Sequence, residues 1–501
     1  MNRDARRDRV IAAVFLVLYA AALAALLARH EMWRDELQAW MLARDSGSLI
    51  DLWHNTRYEG HPLLWHLMLF PLARVFASPV AMQVLHWLLA TAAAGLVLTR
   101  APFALWVRVA IVFSYLPLYE YGAISRNYLL GVLGVWLVCL GLESTRTPWL
   151  AATGALVVAN SNPIGIVITP ALAAGIALTP AWRRRRLDAL AVVAVGFALA
   201  IVQCLPAADY EYASRWNLAF NPRLLAYVCR GFIHTLVPIP ANTLHFWCTS
   251  AFLPTWPFSL KAGHVLSLTL PLVVLGVVAG VARTVRPSVR ALAVWLLAFA
   301  SMLAFFYVKL PGQIRQFGLF WAVLVAVLWI AAADGVVARR WTSLILAPTL
   351  VASLWAAAIA VAWDWRSQFS GARGTAQAIR ANGLAQLPIV GGADYPSSGV
   401  AGYLARGRLY YPAKQGEGSF VLWNYARLRQ DRLSQQDVIA EALARDRGQG
   451  VVLLLNAALP SSVAMPCREV YHSGPVVVDS EELWAYVCSA VMRPPPSAWQ
   501  R

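Results

Sequence analysis

Two acidic residues stand side by side in Glu31-Met-Trp-Arg-Asp-Glu-Leu-Gln-Ala-Trp, placing Asp35 and Glu36 just after a long apolar stretch. Asn55-Thr-Arg-Tyr-Glu-Gly-His-Pro follows with Arg57, Glu59 and His61, and Tyr119-Glu-Tyr-Gly-Ala-Ile-Ser-Arg supplies Glu120 and Arg126. Carboxylates grouped this way can take a proton from an acceptor hydroxyl or hold a divalent metal, Mg or Mn, with Asp35 and Glu120 the candidate ligands. A neighbouring guanidinium can clamp a phosphate through paired hydrogen bonds. Trp33, Trp40, Trp53 and Trp65 can stack on a sugar face or on lipid, or form an ordinary interfacial belt.

Plainer readings stand beside these. Asp35-Glu36 can be a helix start, where negative charge is favoured. Glu120 and Arg126 can be an ion pair closing a turn, and His61 a buried histidine bonded to backbone. His86, inside an apolar block, reads as a packing residue. Asp209, Glu211 and Arg215 read as solvated loop charge.

The elements that must position these groups follow from composition. Of 501 residues, 59% are hydrophobic and only 13% are charged, about half the roughly 25% usual in soluble domains. With a mean hydropathy of +0.57 this excludes a soluble globular enzyme, a disordered chain and a fibrous repeat. The apolar residues fall in blocks of membrane-spanning length, so the fold class is an α-helical polytopic membrane protein. The balance of 42 basic against 25 acidic residues gives +17. The basic residues gather in short tracts between apolar blocks, which points to anchoring at a membrane face and not to nucleic acid.

An uncleaved first span runs from Val10 to about Ala28, behind Arg3, Arg6, Arg7 and Arg9. Further spans are expected near 80–99, 102–119, 127–142, 148–159, 162–180, 187–205, 264–283, 290–309, 315–334 and 341–362, about eleven in all. The block at 148–159 is short, and a broken or tilted helix around Asn160-Ser161-Asn162-Pro163 is the alternative. With the N-terminus inside, the inner loops carry Arg100, Arg146, Arg183 to Arg186, Arg283, Arg286, Arg290, Arg339 and Arg340. That is the bias expected of cytoplasmic loops in an inner, or plasma, membrane. Residues 62–77 must then form a helix lying on, or dipping into, the outer surface, because counting them as a span inverts every later loop.

The domain reading is a transmembrane part, 1–363, with long external loops at 29–79 and 206–263, and an extracytoplasmic (periplasmic) α/β domain at 364–501. In the latter, Pro388-Ile-Val-Gly-Gly-Ala-Asp, Gly450-Val-Val-Leu-Leu-Leu-Asn and Gly474-Pro-Val-Val-Val-Asp read as short buried strands. A charged helix is expected over 437–447. The six cysteines form no metal motif: Cys139 and Cys204 fall in apolar blocks. Cys467 and Cys488 can either pair in an oxidising compartment or stay as free thiols.

These motifs together resemble the GT-C glycosyltransferases that use a polyprenyl-phosphate sugar donor, most nearly the protein O-mannosyltransferase and lipid A aminoarabinose transferase branch. Asp35-Glu36 stands where that branch opens its first external loop with an acidic motif. His61-Pro62-Leu63-Leu64-Trp65 matches the lead into a juxtamembrane helix. Ser125-Arg126 matches the second external motif, although Glu120 lies before the Arg where the family has its acid after it. The resemblance implies a sugar moved from a polyprenyl phosphate to an external acceptor, which can be lipid, glycan or protein. It implies inversion, with Asp35 (beside Glu36) acting as base. Arg57, Glu59, His61 and Glu120 would face the substrate. Arg126 would hold the phosphate, helped by Lys309 and Arg315 in Lys309-Leu-Pro-Gly-Gln-Ile-Arg, unless those two only snorkel to the interface. A transporter or flippase of lipid-linked sugars is the alternative from another class, and a non-catalytic scaffold a third. The charges sit at helix ends and the halves of the chain do not mirror each other, which favours an enzyme.

Overall fold

A computed structural model describes residues 3–144, 147–212, 216–254, 260–336, 339–404, 408–427, 433–460 and 467–489; Arg146 and Arg215 lie outside the described residues. The first long helix is α1 (Arg3–Arg29). Three shorter helices follow it: α2 (Arg34–Asp45), α3 (Leu49–Thr56) and α4 (Leu64–Val75). Next come α5 (Val80–Arg100) and α6 (Leu105–Phe113), the latter continued by a π-helical stretch over Tyr115–Ala123. Then follow α7 (Tyr128–Leu142), α8 (Trp149–Ala159), α9 (Pro163–Ala177) and α10 (Arg186–Gln203). After α11 (Pro222–Leu236), four long helices complete the bundle: α12 (Leu260–Val285), α13 (Val289–Val308), α14 (Ile314–Ala333) and α15 (Arg339–Arg366).

Seven of these, α1, α5, α10, α12, α13, α14 and α15, are long and apolar enough to cross a membrane. All eleven apolar blocks expected from the sequence fall on helix, and α4, α7, α8 and α9 are apolar but shorter. Every residue of α14 from Phe317 to Ala331 is buried, as a helix apolar on all sides must be, so α14 is the central post. The outer helices instead turn Val17, Leu199, Leu268 and Leu272 outward.

Helix ends meet alternately at two poles. At one, Arg290 pairs with Asp334 and donates to the Leu142 carbonyl at 3.2 Å, while Trp182 donates to the Ser144 carbonyl at 3.0 Å. At the other, Asn127 donates to the Ser161 carbonyl at 2.8 Å and His30 meets Asp364 at 2.8 Å. The α8–α9 junction is a reversal at Asn160–Asn162. Pro163 opens α9 and the Asn162 side chain accepts from Gly165 N–H, a normal helix start. Close packing of small residues supports this pair: a Cβ on Gly141 of α7 would stand 2.3 Å from the Ala151 nitrogen of α8.

The C-terminal region adds α16 (Ala372–Ala381), α17 (Asp394–Leu404) and α18 (Gln435–Leu443). Its strands are β1 (Ile389–Gly391), β2 (Leu409–Tyr411), β3 (Gly416–Gly418), β4 (Val451–Leu455), β5 (Cys467–His472) and β6 (Trp484–Cys488). They form one sheet in the order β3-β2-β1-β4-β6-β5, with β1 parallel to β2 and β4 and the other pairs antiparallel. The all-apolar β4 is buried along its length because both neighbours and both faces are covered.

Two sequence expectations are corrected here. Gly474 to Asp479 is not a strand: Val477 and Val478 donate their N–H groups to the Gln368 and Phe369 carbonyls at 2.9 and 3.0 Å. Their side chains join the core of the helix bundle. The run is apolar because it docks one domain on the other, a need that alternation in sequence does not distinguish from sheet burial. The 206–263 loop also holds a helix, α11, packed against α12 and α14.

The α/β region has one cluster of its own, around Val390, Ile439, Val451 and Tyr486, and shares a second with the helical bundle's side. In the second, Trp40, Met41 and Trp65 of the 29–79 segment pack with Val400, Ala401, Tyr411 and Leu454. Gly402 of α17 permits this: a Cβ there would meet Leu37 of α2 at 3.0 Å.

Cys467 and Cys488 form a disulfide between β5 and β6, across 21 residues of sequence. A loop of that length is worth roughly 3 kcal/mol. Replacing both cysteines by Ser should lower the stability of the purified protein by about that amount in a thermal unfolding series, with a matching drop under reductant. An unchanged midpoint in both conditions would remove the bond from the stability of this domain.

Candidate active site

The site begins with a buried carboxylate. Glu36, in the first turn of α2, is fully buried and accepts the Ser125 N–H at 2.6 Å and the Trp33 N–H at 3.2 Å. His30 reaches it at 3.0 Å through Nε2 and Asp364 at 2.8 Å through Nδ1. Burial opposes charge on this imidazole, but Asp364 and Glu36 outweigh burial and hold the His30 pKa up to about 10. One cation between two carboxylates thus ties α1, α2 and the end of α15 together. Glu36, expected beside Asp35 as a catalytic group, instead spends both oxygens on position.

That anchoring brings Asp35 against Arg126. The Arg126 Nη1 donates to Asp35 Oδ2 at 2.6 Å, Arg315 Nη2 stands 3.8 Å from the same oxygen, and Arg34 Nε is 3.7 Å from Oδ1. Burial alone would raise the carboxyl pKa; Arg126, Arg315 and Arg34 reverse this and hold it below the usual aspartate range. Arg315 is itself placed by two indoles, 5.3 Å from the centroids of both Trp33 and Trp247. Arg34 is tied to the C-terminal domain, where its Nη1 donates to Ser480 Oγ at 2.8 Å and its backbone N–H to Glu481.

Asp35, Arg34 and Arg126 form the floor of a cavity of about 130 Å³, and Gln38, Glu59 and His61 form its wall. Its roof comes from the C-terminal domain as Ser398, Val421 and Trp423. Gln38 fixes the roof, donating to the Val421 carbonyl at 2.7 Å and accepting its N–H at 2.9 Å; the same amide donates to Glu59 at 2.7 Å. Burial pushes the Glu59 carboxyl up to about 7, resisted by the Gln38 bond and reinforced by Asp35. Burial and the nearby Arg126 push His61 down to about 3, so its imidazole is neutral.

The other expected residues lie elsewhere. Arg57 turns to the carbonyls of Leu205 and Pro206 at 3.1 and 2.9 Å, tying the two long loops together. Glu120, on the π-helical stretch, accepts from Tyr115 and from Trp247 Nε1, each at 3.0 Å, and does not line the cavity. It reaches the site through Trp247, which packs on Arg315, and through its charge, which acts on Arg315 and Arg126. Lys309 donates to the Tyr212 carbonyl at 3.2 Å and lies over Trp216, away from the cavity. The two carboxylates expected as metal ligands do not share a site: Asp35 is paired with guanidinia, and Glu120 takes two donors on Oε2 outside the cavity. Among the described residues no three His, Cys, Asp or Glu side chains cluster as a metal site.

Trp40 and Trp65 are buried core, neither a lipid belt nor an exposed platform. His86 is buried with Nε2 at 2.9 Å from the Tyr121 carbonyl, as expected of a packing residue. Asp209 is exposed, as expected of solvated charge, whereas Glu211 is buried, and the segment carrying both braces the roof. Asp209 accepts the Tyr58 hydroxyl at 2.7 Å and Glu211 meets Arg427 at 3.4 Å. Their backbones bond to Tyr425 and Trp423. Arg34 and Gln38 share the helix of Asp35, so helical spacing could have found them. Ser398, Val421 and Trp423 carry no such signal, because only domain docking brings them in. No family model, curated protein or solved structure matches the chain.

The His30 cluster sets a pH dependence whose sign is fixed. A histidine raised from 6.5 to about 10 on folding contributes stability that is complete below about 6.5 and is lost as pH rises through about 10. Thermal unfolding of the detergent-solubilised protein should therefore weaken from neutral pH toward pH 10. His30→Gln should be less stable at pH 7 and should lose that component of the slope. Identical slopes for both proteins would show that His30 carries no such charge.

Proposed function

We propose that this chain is an integral membrane glycosyltransferase. It moves one sugar from a polyprenyl-phosphate carrier to a hydroxyl-bearing acceptor (lipid, glycan or protein) on the extracytoplasmic face. The observation that carries the reading is Asp35, ringed by three guanidinia on the floor of a cavity between an apolar helix bundle and a docked polar domain. Orientation is supported by charge: Arg100, Arg183 to Arg186, Arg283, Arg286 and Arg290 belong to the pole opposite the cavity. The cavity would then face outward, with all eleven helical blocks as crossings and membrane lipid around the bundle.

Each part has a task in that reaction. The prenyl chain stays in lipid while its phosphate is drawn to Arg126, Arg315 and Arg34, whose planar forks suit phosphate oxygens. Phosphate competes with Asp35 for the same donors, so donor binding loosens the ion pairs and makes the carboxylate more basic. The acceptor oxygen attacks the anomeric carbon from the face opposite the phosphate. The bond from that carbon to the phosphate oxygen breaks, its electron pair leaves on the phosphate, and the acceptor proton passes to Asp35. A single in-line displacement inverts the anomeric centre. Positive charge already in place for the leaving phosphate is the form of catalysis that needs least reorganisation.

The test is transfer by purified protein from a panel of labelled polyprenyl-phosphate sugars. Asp35→Asn should reduce transfer by about 10²- to 10⁴-fold, the usual worth of a general base, while the protein stays folded and inserted. Full turnover in that variant would exclude Asp35 from the chemistry; movement of lipid-linked sugar between leaflets with no new glycosidic bond would make the chain a flippase. Glu59 adds a second expectation. As pH rises through about 7 it gains a negative charge beside the phosphate position, so the KM for donor should rise between pH 6 and 8. Glu59→Gln should flatten that rise, and a profile unchanged by the substitution would assign the titration elsewhere.

A further inference from the structure

Beneath Asp35 the cavity continues into a recess of about 10 Å³, which shares the walls Asp35, Glu59, His61 and Arg126 and adds Trp65, His66 and Asn127. Such a volume takes one water-sized group. His66 is 3% exposed, and neither of its ring nitrogens has a hydrogen-bond partner in the protein; His61 Nδ1 is likewise buried without one. Trp65 Nε1 is unpaired as well, and buried polar atoms are nearly always satisfied, so four unpaired nitrogens around one recess indicate that something else satisfies at least part of them.

The chemistry of that group follows from the imidazoles. Burial and Arg126 keep both rings neutral, with His66 pushed down to about 4. A neutral imidazole has one N–H donor and one bare nitrogen acceptor. A phosphate or carboxylate oxygen only accepts and would leave the bare nitrogen unsatisfied. An ammonium only donates and would leave the N–H donor unanswered. A hydroxyl, of water or of a ligand, does both when it lies between one nitrogen of His66 and Nδ1 of His61.

We propose that this recess, walled by His61, His66 and Asn127, receives one uncharged hydroxyl of the donor sugar and so sets which sugar is accepted. The inference rests on the glycosyltransferase reading for the identity of the ligand. The phosphate is held by the three arginines around Asp35, and the recess opens beside that same carboxylate. The hydroxyl it reads therefore belongs to the ring that is being transferred. A sugar lacking that hydroxyl leaves buried nitrogens unpaired, which is how polar pockets reject a deoxy analogue.

The experiment uses the full-length protein in nanodiscs with three kinds of probe: bare polyprenyl phosphate, a polyprenyl-phosphate hexose that binds, and its monodeoxy versions. Binding is measured by titration and transfer by product formation. In wild type, loss of the hydroxyl at one ring position should weaken binding about 10- to 100-fold, the other positions having little effect. His66→Phe, which fills the recess without a charge change, should bring parent and selected deoxy donor to equal affinity. His66→Gln, which keeps one donor and one acceptor, should restore part of the difference. Wild type also decides alone: if every monodeoxy donor binds within about twofold of its parent, or no sugar-bearing lipid binds better than bare polyprenyl phosphate, the proposal is overturned. Position-specific binding without transfer would leave the subsite standing and defeat the enzyme; transfer without position-specific binding would do the reverse.

Discussion

The hydrogen bond from Ser125 N–H to the buried Glu36 carboxylate is the constraint from which the site's geometry follows. Its donor belongs to the loop after the π-helical stretch and its acceptor to the first turn of α2. The next residue along from Ser125 is Arg126, and the residue before Glu36 is Asp35, so one bond sets the 2.6 Å contact between them. A buried carboxylate is costly unless its lone pairs are used, and here Ser125, Trp33 and His30 use them. The penalty for breaking any one contact is what gives the cluster a single arrangement.

Around that anchor two solvents impose different rules. Within the bundle every backbone group must be satisfied inside the chain, which gives continuous helices and, at Gly141 against Ala151, backbones in near contact. Outside it the chain packs as water-soluble proteins do, with α2, α4 and α17 sharing one core. The cavity sits where these regimes meet. Its floor comes from α2 and the loop before α7, joined through the Ser125–Glu36 bond and tied to α1 and α15 by His30, and its roof from segments held by Gln38 and by Asp209 and Glu211.

Much of this was legible in the sequence, and the rest was hidden for physical reasons. Apolar length marked the helices because hydropathy is a sum over neighbours. Asp35 and Arg126 stood out because charges are rare and both sit beside helix ends. The division of labour between Asp35 and Glu36 was not legible: adjacent positions on a helix point about 100° apart, and only tertiary contact decides which one faces the cavity. Arg57 and Lys309 looked like phosphate ligands, yet a guanidinium or ammonium near a loop finds carbonyl oxygens as readily as anions. Val476 to Val478 read as a strand because burial by a neighbouring domain leaves the same apolar run as burial in a sheet.

The electrostatics of the cavity make sense as a pair of carboxylates driven apart. Asp35 and Glu59 face one space, but Asp35 is matched to guanidinia and Glu59 to a neutral amide. The first is therefore held ionised, and the second titrates near neutrality at about 7. Asp35 offsets one of the three positive charges, which limits but does not remove the cost of keeping three cations close together. In the proposed reaction a donor phosphate would compete for these cations and leave Asp35 more basic. Binding and activation would then draw on a single set of contacts, so that altering Arg126 or Asp35 would change both.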